Sequence, residues 1–214
     1  MASEKGRYVG VKFTPVLIEE RQVNDSRIAE LIEWGKIFHE LGLAPPYVDT
    51  EGNRGSYGNL GVRSMLISNA FIITASSSSL AEGDDRNFAE VKDVSFRERK
   101  VYYIGGKRKS DKIVIPSSEA ILYWTIFSMR EDVDAILHGH SELISQCAER
   151  LCIPVTEKEE PYGTIELARQ VRMLLERYPE TDIFEMRHHG FVAMGRDIKT
   201  TGDLVLRTLR GCYS

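Results

Sequence analysis

The chain breaks its apolar residues into short blocks, and the period within each block separates helices from strands. Ile28, Leu31, Ile32, Ile37, Phe38 and Leu41 recur at three- and four-residue intervals, the spacing of one helical face. Asp25 or Ser26 stands where a helix cap belongs, and Gly42 stands where a C-terminal glycine stops the helix. Shorter apolar runs predict strands over residues 9–16, at a sheet edge, and over 60–63, 65–67 and 70–74. Residues 88–96 and 100–104 read as a strand pair closed by Gly105-Gly106, and 135–138, 183–186 and 191–194 as further strands. Helices are expected from Pro116-Ser117-Ser118-Glu119 to about 129, over 142–150, from Thr164 to about 178, and over 197–210. Residues 44–55 read as a loop rich in turn-forming residues, and the serine run 76–79 as a functional or turn loop.

Strands and helices mix without strict βαβ alternation, and several strands are neighbours joined by short turns. That pattern predicts an α/β protein with a largely antiparallel sheet and helices packed against it. The 214 residues carry no internal repeat and no break in composition, so one domain over 1–214 is expected. A net charge of -4 points away from a nucleic-acid or membrane surface. The one basic run, Lys107-Arg108-Lys109, follows two glycines and reads as a solvated turn. Three cysteines, an odd number with no C-x-x-C pair, argue against a disulfide framework and for a reducing compartment. The first eight residues are charged and lack an apolar stretch, unlike a secretory signal, and no apolar run approaches a membrane span. A cytoplasmic location is the expectation.

Histidine placement changes the picture. Four of five histidines lie in two clusters, His138-Gly139-His140 and His188-His189, while His39 stands alone on the first helix and reads as a surface or packing residue. On a strand, residues two apart share a face, so His138 and His140 can present two imidazoles to one ion. A second cluster, followed by Gly190, offers the third nitrogen; His188 and His189 point oppositely on extended backbone, so one of them joins. Three imidazoles suit zinc, with an open position for substrate, over magnesium.

Two polar stretches add candidates. Ser117-Ser118-Glu119 places hydroxyls, backbone N–H groups and a carboxylate at a helix N-terminus, where an anion is favoured; a plain helix cap is the simpler reading of that tripeptide alone. Ser56-Tyr57-Gly58-Asn59 and Ser76-Ser77 supply short uncharged groups able to cradle a phosphate, or ordinary turns.

Taken in order, Gly58-Asn59-Leu60, Ile73-Thr74-Ala75-Ser76, Pro116-Ser117-Ser118-Glu119, Leu137-His138-Gly139-His140, Pro161-Tyr162-Gly163-Thr164 and His188-His189-Gly190 resemble the landmarks of the class II aldolase/adducin family. The resemblance implies a three-layer α/β/α fold with a central, mostly antiparallel sheet. It implies zinc on His138, His140 and His189, the last being the histidine before glycine. It implies Glu119 as acid/base, and a phosphate pocket of Asn59, Ser76, Ser117 and Ser118 with Ser77 at its edge. The implied reaction is retro-aldol cleavage of a ketose phosphate through a metal-stabilised enediolate. The implied assembly is a homotetramer with sites at subunit interfaces. Glutamate at position 119 matches the family's aldolases, where its 4-epimerases carry aspartate. Epimerase, dehydratase or decarboxylase chemistry uses the same kind of site, and adducin uses the fold as a non-enzymatic binding module.

The chain departs from the aldolases in three places. Ser77 stands where they have glycine, and Asn59 is followed by Leu60-Gly61 instead of a small polar residue. The short, charged stretch 152–162 holds no tyrosine besides Tyr162, so the family's proton-donating tyrosine has no counterpart there.

Overall fold

The computed structural model describes residues 10–49, 52, 54–65, 67 and 70–213. Its frame is one eight-stranded sheet. In spatial order the strands are β1 (Thr14–Glu19), β7 (Lys100–Gly105), β6 (Phe88–Ser95), β5 (Phe71–Thr74), β4 (Asn59–Arg63), β8 (Ala135–Gly139), β10 (Gly190–Gly195) and β9 (Ile183–Met186). The pairing of β1 with β7 is parallel and the other pairings are antiparallel. A separate ribbon pairs β2 (Pro46–Val48) with β3 (Arg54–Ser56).

Period-two alternation explains why helices cover both faces. Phe71 and Ile73 of β5, Ile136 of β8, and Val192 and Met194 of β10 point to one side. There they pack with α2 (Ala120–Met129) and α4 (Ile165–Arg177) through Tyr123, Phe127, Val171 and Leu175. Ile72, Leu137, Phe191 and Ala193 point to the other side, where α1 (Ile28–Glu40), α3 (Glu142–Cys147) and α5 (Ile198–Cys212) cover them with Trp34, Phe38, Ile144 and Val205. This is the three-layer α/β/α arrangement with a mostly antiparallel sheet. With both faces buried, its central strands read as continuous apolar runs.

Local signals set the helix ends. The Thr164 hydroxyl accepts from the Leu167 N–H at 3.2 Å, Asp197 from Thr200 N–H at 2.7 Å, and Ser141 from Ile144 N–H at 3.3 Å. Gly42 closes α1 in the left-handed conformation (φ +70°) and donates to His39 O. In β4, Gly61 makes room for Tyr123: a Cβ there would meet the Tyr123 ring at 2.9 Å and the Ile72 carbonyl at 2.5 Å. Tyr123 is fully buried, and its hydroxyl donates to Asn59 O at 2.8 Å, which ties α2 to the strand leading from the site.

Several expectations need correction. The first strand runs over Thr14–Glu19, later than residues 9–16; Val9 lies outside the described residues. Asp25 does not cap α1. It accepts from the N–H of Arg27, the residue that precedes the helix, and holds that residue's guanidinium. Trp34, not Leu41, completes the buried face of α1. Residues 65 and 67 lie in no strand, and Ser64 N–H donates to Ala70 O; Leu66 lies outside the described residues. The expected loop 44–55 instead holds β2 and most of β3, paired as a ribbon that ends at Ser56. Cys147 and Cys212 form a disulfide between α3 and α5, with Cα atoms 5.6 Å apart, and Cys152 alone stays free and exposed. Their 65-residue separation hides the pairing from any local spacing rule. No helix of the structure is long and apolar enough to cross a membrane.

Candidate metal centre

His138 lies on β8, the strand flanked by β4 and β10, opposite Asn59 and Val192. It is 1% exposed, and its Nδ1 is 2.7 Å from Phe191 O. A carbonyl accepts only, so Nδ1 carries the proton and Nε2 presents a lone pair. His140 follows β8. Its N–H donates to Leu43 O at 2.8 Å, and its ring centroid lies 5.3 Å from that of Tyr57. The third imidazole comes from the turn between β9 and β10. There His188 takes φ +57° and stays exposed, while His189 donates its N–H to Met186 O and turns inward. Gly190 lets this turn lie against β8, because a Cβ would sit 2.4 Å from the Gly139 carbonyl oxygen.

The three rings converge. Their centroids are 4.9 to 5.2 Å apart, and one nitrogen from each lies within 4.8 Å of the others. His39, by contrast, is exposed on α1. Burial disfavours the imidazolium of His138 and pushes its pKa down to about 4. Burial, with His138 and His189 beside it, pushes His140 well below the usual histidine value. Both rings are therefore neutral near pH 7, the form that binds a metal.

Glu119 closes the cluster from the α2 side. It is 4% exposed, with Oε1 3.4 Å from His189 Nε2. His189 Nε2 and Glu119 Oε2 are both buried without a hydrogen-bond partner. Burial works to raise the Glu119 pKa, but His189, His138 and the Gly163 N–H outweigh it and hold the carboxyl below its ordinary value. A buried nitrogen left unpaired is expensive unless something binds it. Three imidazoles beside a buried carboxylate fit a divalent transition ion, and His138, His140 and His189 are the residues that would hold it.

The polar loops gather around the same strand ends. Asn59 sits opposite His138, and its Oδ1 is buried and unpartnered. An isolated bridge between Ala75 and Pro116 brings the serine run beside the start of α2, and Ser76 N–H donates to Ile115 O. Ser117 accepts from Glu119 N–H at 3.4 Å, so it serves the helix end. Ser118 donates to Gly10 O at 3.2 Å, and the Tyr162 hydroxyl donates to the same carbonyl at 3.3 Å. Ser77 takes φ +53° and donates its hydroxyl to Asp49 Oδ2 at 3.1 Å. This is the left-handed conformation that glycine adopts without steric cost and serine does not.

A family model for the Class II Aldolase and Adducin N-terminal domain matches residues 30–212. The chain belongs to the class II aldolase/adducin family. No curated protein sequence matches it. Among solved structures of this fold, an L-fuculose 1-phosphate aldolase has a TM-score of 0.65 at 21% identity, covering 89% of this chain and 84% of its own. YgbL of Klebsiella pneumoniae, proposed to be an aldolase/epimerase/decarboxylase, has a TM-score of 0.62 at 18% identity over 86% of each chain. The L-fuculose-1-phosphate aldolase of Thermus thermophilus has a TM-score of 0.60 at 18% identity, covering 88% of this chain and 92% of its own. At these identities the likeness is one of fold.

Two residues of interest carry no signal in the family landmarks. Arg108, read as part of a solvated turn, donates from Nη1 to Ser77 O at 2.7 Å and from Nη2 to Ser76 O. Glu185 of β9 is 3% exposed; its Oε1 accepts from the Ser145 hydroxyl at 2.5 Å, and its Oε2 is unpartnered. Only the folded chain brings Arg108 to residues 31 and 32 positions away.

Proposed function

We propose that this protein is a zinc-dependent lyase of the class II aldolase type that cleaves a ketose phosphate by retro-aldol chemistry. The observation that carries the reading is the convergence of His138, His140 and His189 nitrogens within 4.8 Å beside the buried carboxylate of Glu119. A divalent ion on these imidazoles would polarise the substrate carbonyl and offset negative charge developing on its oxygens. Glu119, held ionised, takes or returns the proton at the reacting carbon. Asn59, Ser76, Ser77, Ser117 and Ser118 line the phosphate end, through hydroxyls, amide and backbone N–H groups. The same reading makes the protein a homotetramer; the Cys147–Cys212 disulfide removes the cysteine argument for a reducing compartment.

The fold neighbour proposed to be an aldolase/epimerase/decarboxylase supports a second reading, another reaction on the same metal site. Elemental analysis of tag-free wild type and His140→Ala tests the centre. About one zinc or similar ion per chain, absent from the variant, is expected for a three-histidine site. L-fuculose 1-phosphate and related ketose phosphates are then assayed for aldehyde release. Product of unchanged carbon skeleton would replace the lyase with the second reading. No metal in wild type, even after zinc is added and excess removed, would sink both and leave a scaffold that binds other proteins.

A further inference from the structure

The hairpin after β7 reaches back to the serine run. Lys107 and Ile113 form a bridge, Arg108 N–H donates to Lys112 O, and the Arg108 guanidinium grips the two successive carbonyls of Ser76 and Ser77. A trans peptide is planar, and its C=O and N–H point in opposite directions. Turning the Ser76 and Ser77 carbonyls toward Arg108 therefore turns the N–H groups of Ser77 and Ser78 away from it. Neither N–H has a hydrogen-bond partner among the described residues. Successive N–H groups around a left-handed residue form a concavity that takes an anion, and Ser77 is left-handed at φ +53°. The Ser77 hydroxyl is committed to Asp49, so this residue meets an anion through its N–H.

We propose that Arg108 is a positioning residue for the phosphate of the substrate: it pins two carbonyls of the serine run and so aims the Ser77 and Ser78 N–H groups at the anion. The inference rests on the reading of this pocket as the phosphate end. A serine in the left-handed region resists the conformation that glycine adopts freely, and Arg108 and Asp49 hold it there from two sides. The planar fork of arginine suits two carbonyls at once; the single ammonium of lysine does not reproduce it.

The test is a titration of the purified full chain with inorganic phosphate, read by amide NMR shifts of Ser77 and Ser78. Acetohydroxamate, a metal chelator without phosphate, is the companion ligand. Wild type is expected to shift both amides. Arg108→Ala is expected to bind phosphate at least tenfold more weakly with acetohydroxamate affinity unchanged, a split that general damage would not produce. Arg108→Lys keeps the charge without the fork, and it is the second variant if Arg108→Ala does not fold. Wild-type phosphate affinity in either variant overturns the pinning argument. Phosphate that leaves the two wild-type amides unmoved overturns the inference as well. Metal content is measured separately, so a failed metal centre and a failed phosphate pocket are told apart.

Discussion

Replacing Glu185 by glutamine should remove a loss of stability that the wild type suffers as pH rises toward neutrality. The carboxyl is buried on β9, with one oxygen held by Ser145 and the other unpartnered. Burial pushes its pKa from 4.5 up to about 7, against the smaller pull of Ser145 and His189. Between those values the folded chain keeps a proton that the unfolded chain has lost. Stability therefore falls as pH rises through this window, from intact below 4.5 to fully reduced above about 7. At roughly 1.4 kcal/mol per pH unit the gap amounts to about 3 kcal/mol, an upper bound because the glutamine amide also lacks a partner. The assay is urea unfolding of wild type and Glu185→Gln between about pH 5 and 9, with chelator present because a cation at His189 would draw the carboxyl down. The difference between the two curves should grow in favour of Glu185→Gln as pH rises and level off above about 7. Curves that run parallel would show that Glu185 ionises in the folded chain as it does in water, and would refute the burial argument.

Thr164→Ala removes the hydroxyl that caps α4 and should lower stability by about 1 kcal/mol in the same unfolding assay. Gly190→Ala would drive a methyl into the Gly139 carbonyl. It should destabilise by about 1–3 kcal/mol and release His189 from the cluster, read as metal lost at equal protein. Thiol titration in denaturant should count one free cysteine, Cys152, before reduction and all three afterwards. Reduction of the Cys147–Cys212 bridge should lower stability by up to about 4 kcal/mol, since it closes a loop of 65 residues.

Much of this protein was legible along the chain because its signals are local. The period of Ile28, Leu31 and Phe38 marks a helix wherever it packs, and the Thr164 and Asp197 caps act within three residues. The alternation of β5, β8 and β10 is continuous apolar sequence because helices cover both faces of the sheet. His138 and His140 share a side because they lie two apart at a strand end, and the Gly after His189 marks the turn that brings in the third ring. What the chain alone left undecided involves partners far apart in sequence. The contact of Glu119 with His189 spans 70 positions, and the disulfide joins cysteines 65 apart. Arg108 carries no pattern that distinguishes it from a solvated cation; it becomes part of the serine loop only when β5, β6 and β7 pair and carry its hairpin across. Glu185 sits in a strand like any edge glutamate until α3 covers it. Local propensity acts within a few residues, whereas desolvation and convergent geometry exist only once the sheet has closed its register and the helices have sealed its faces.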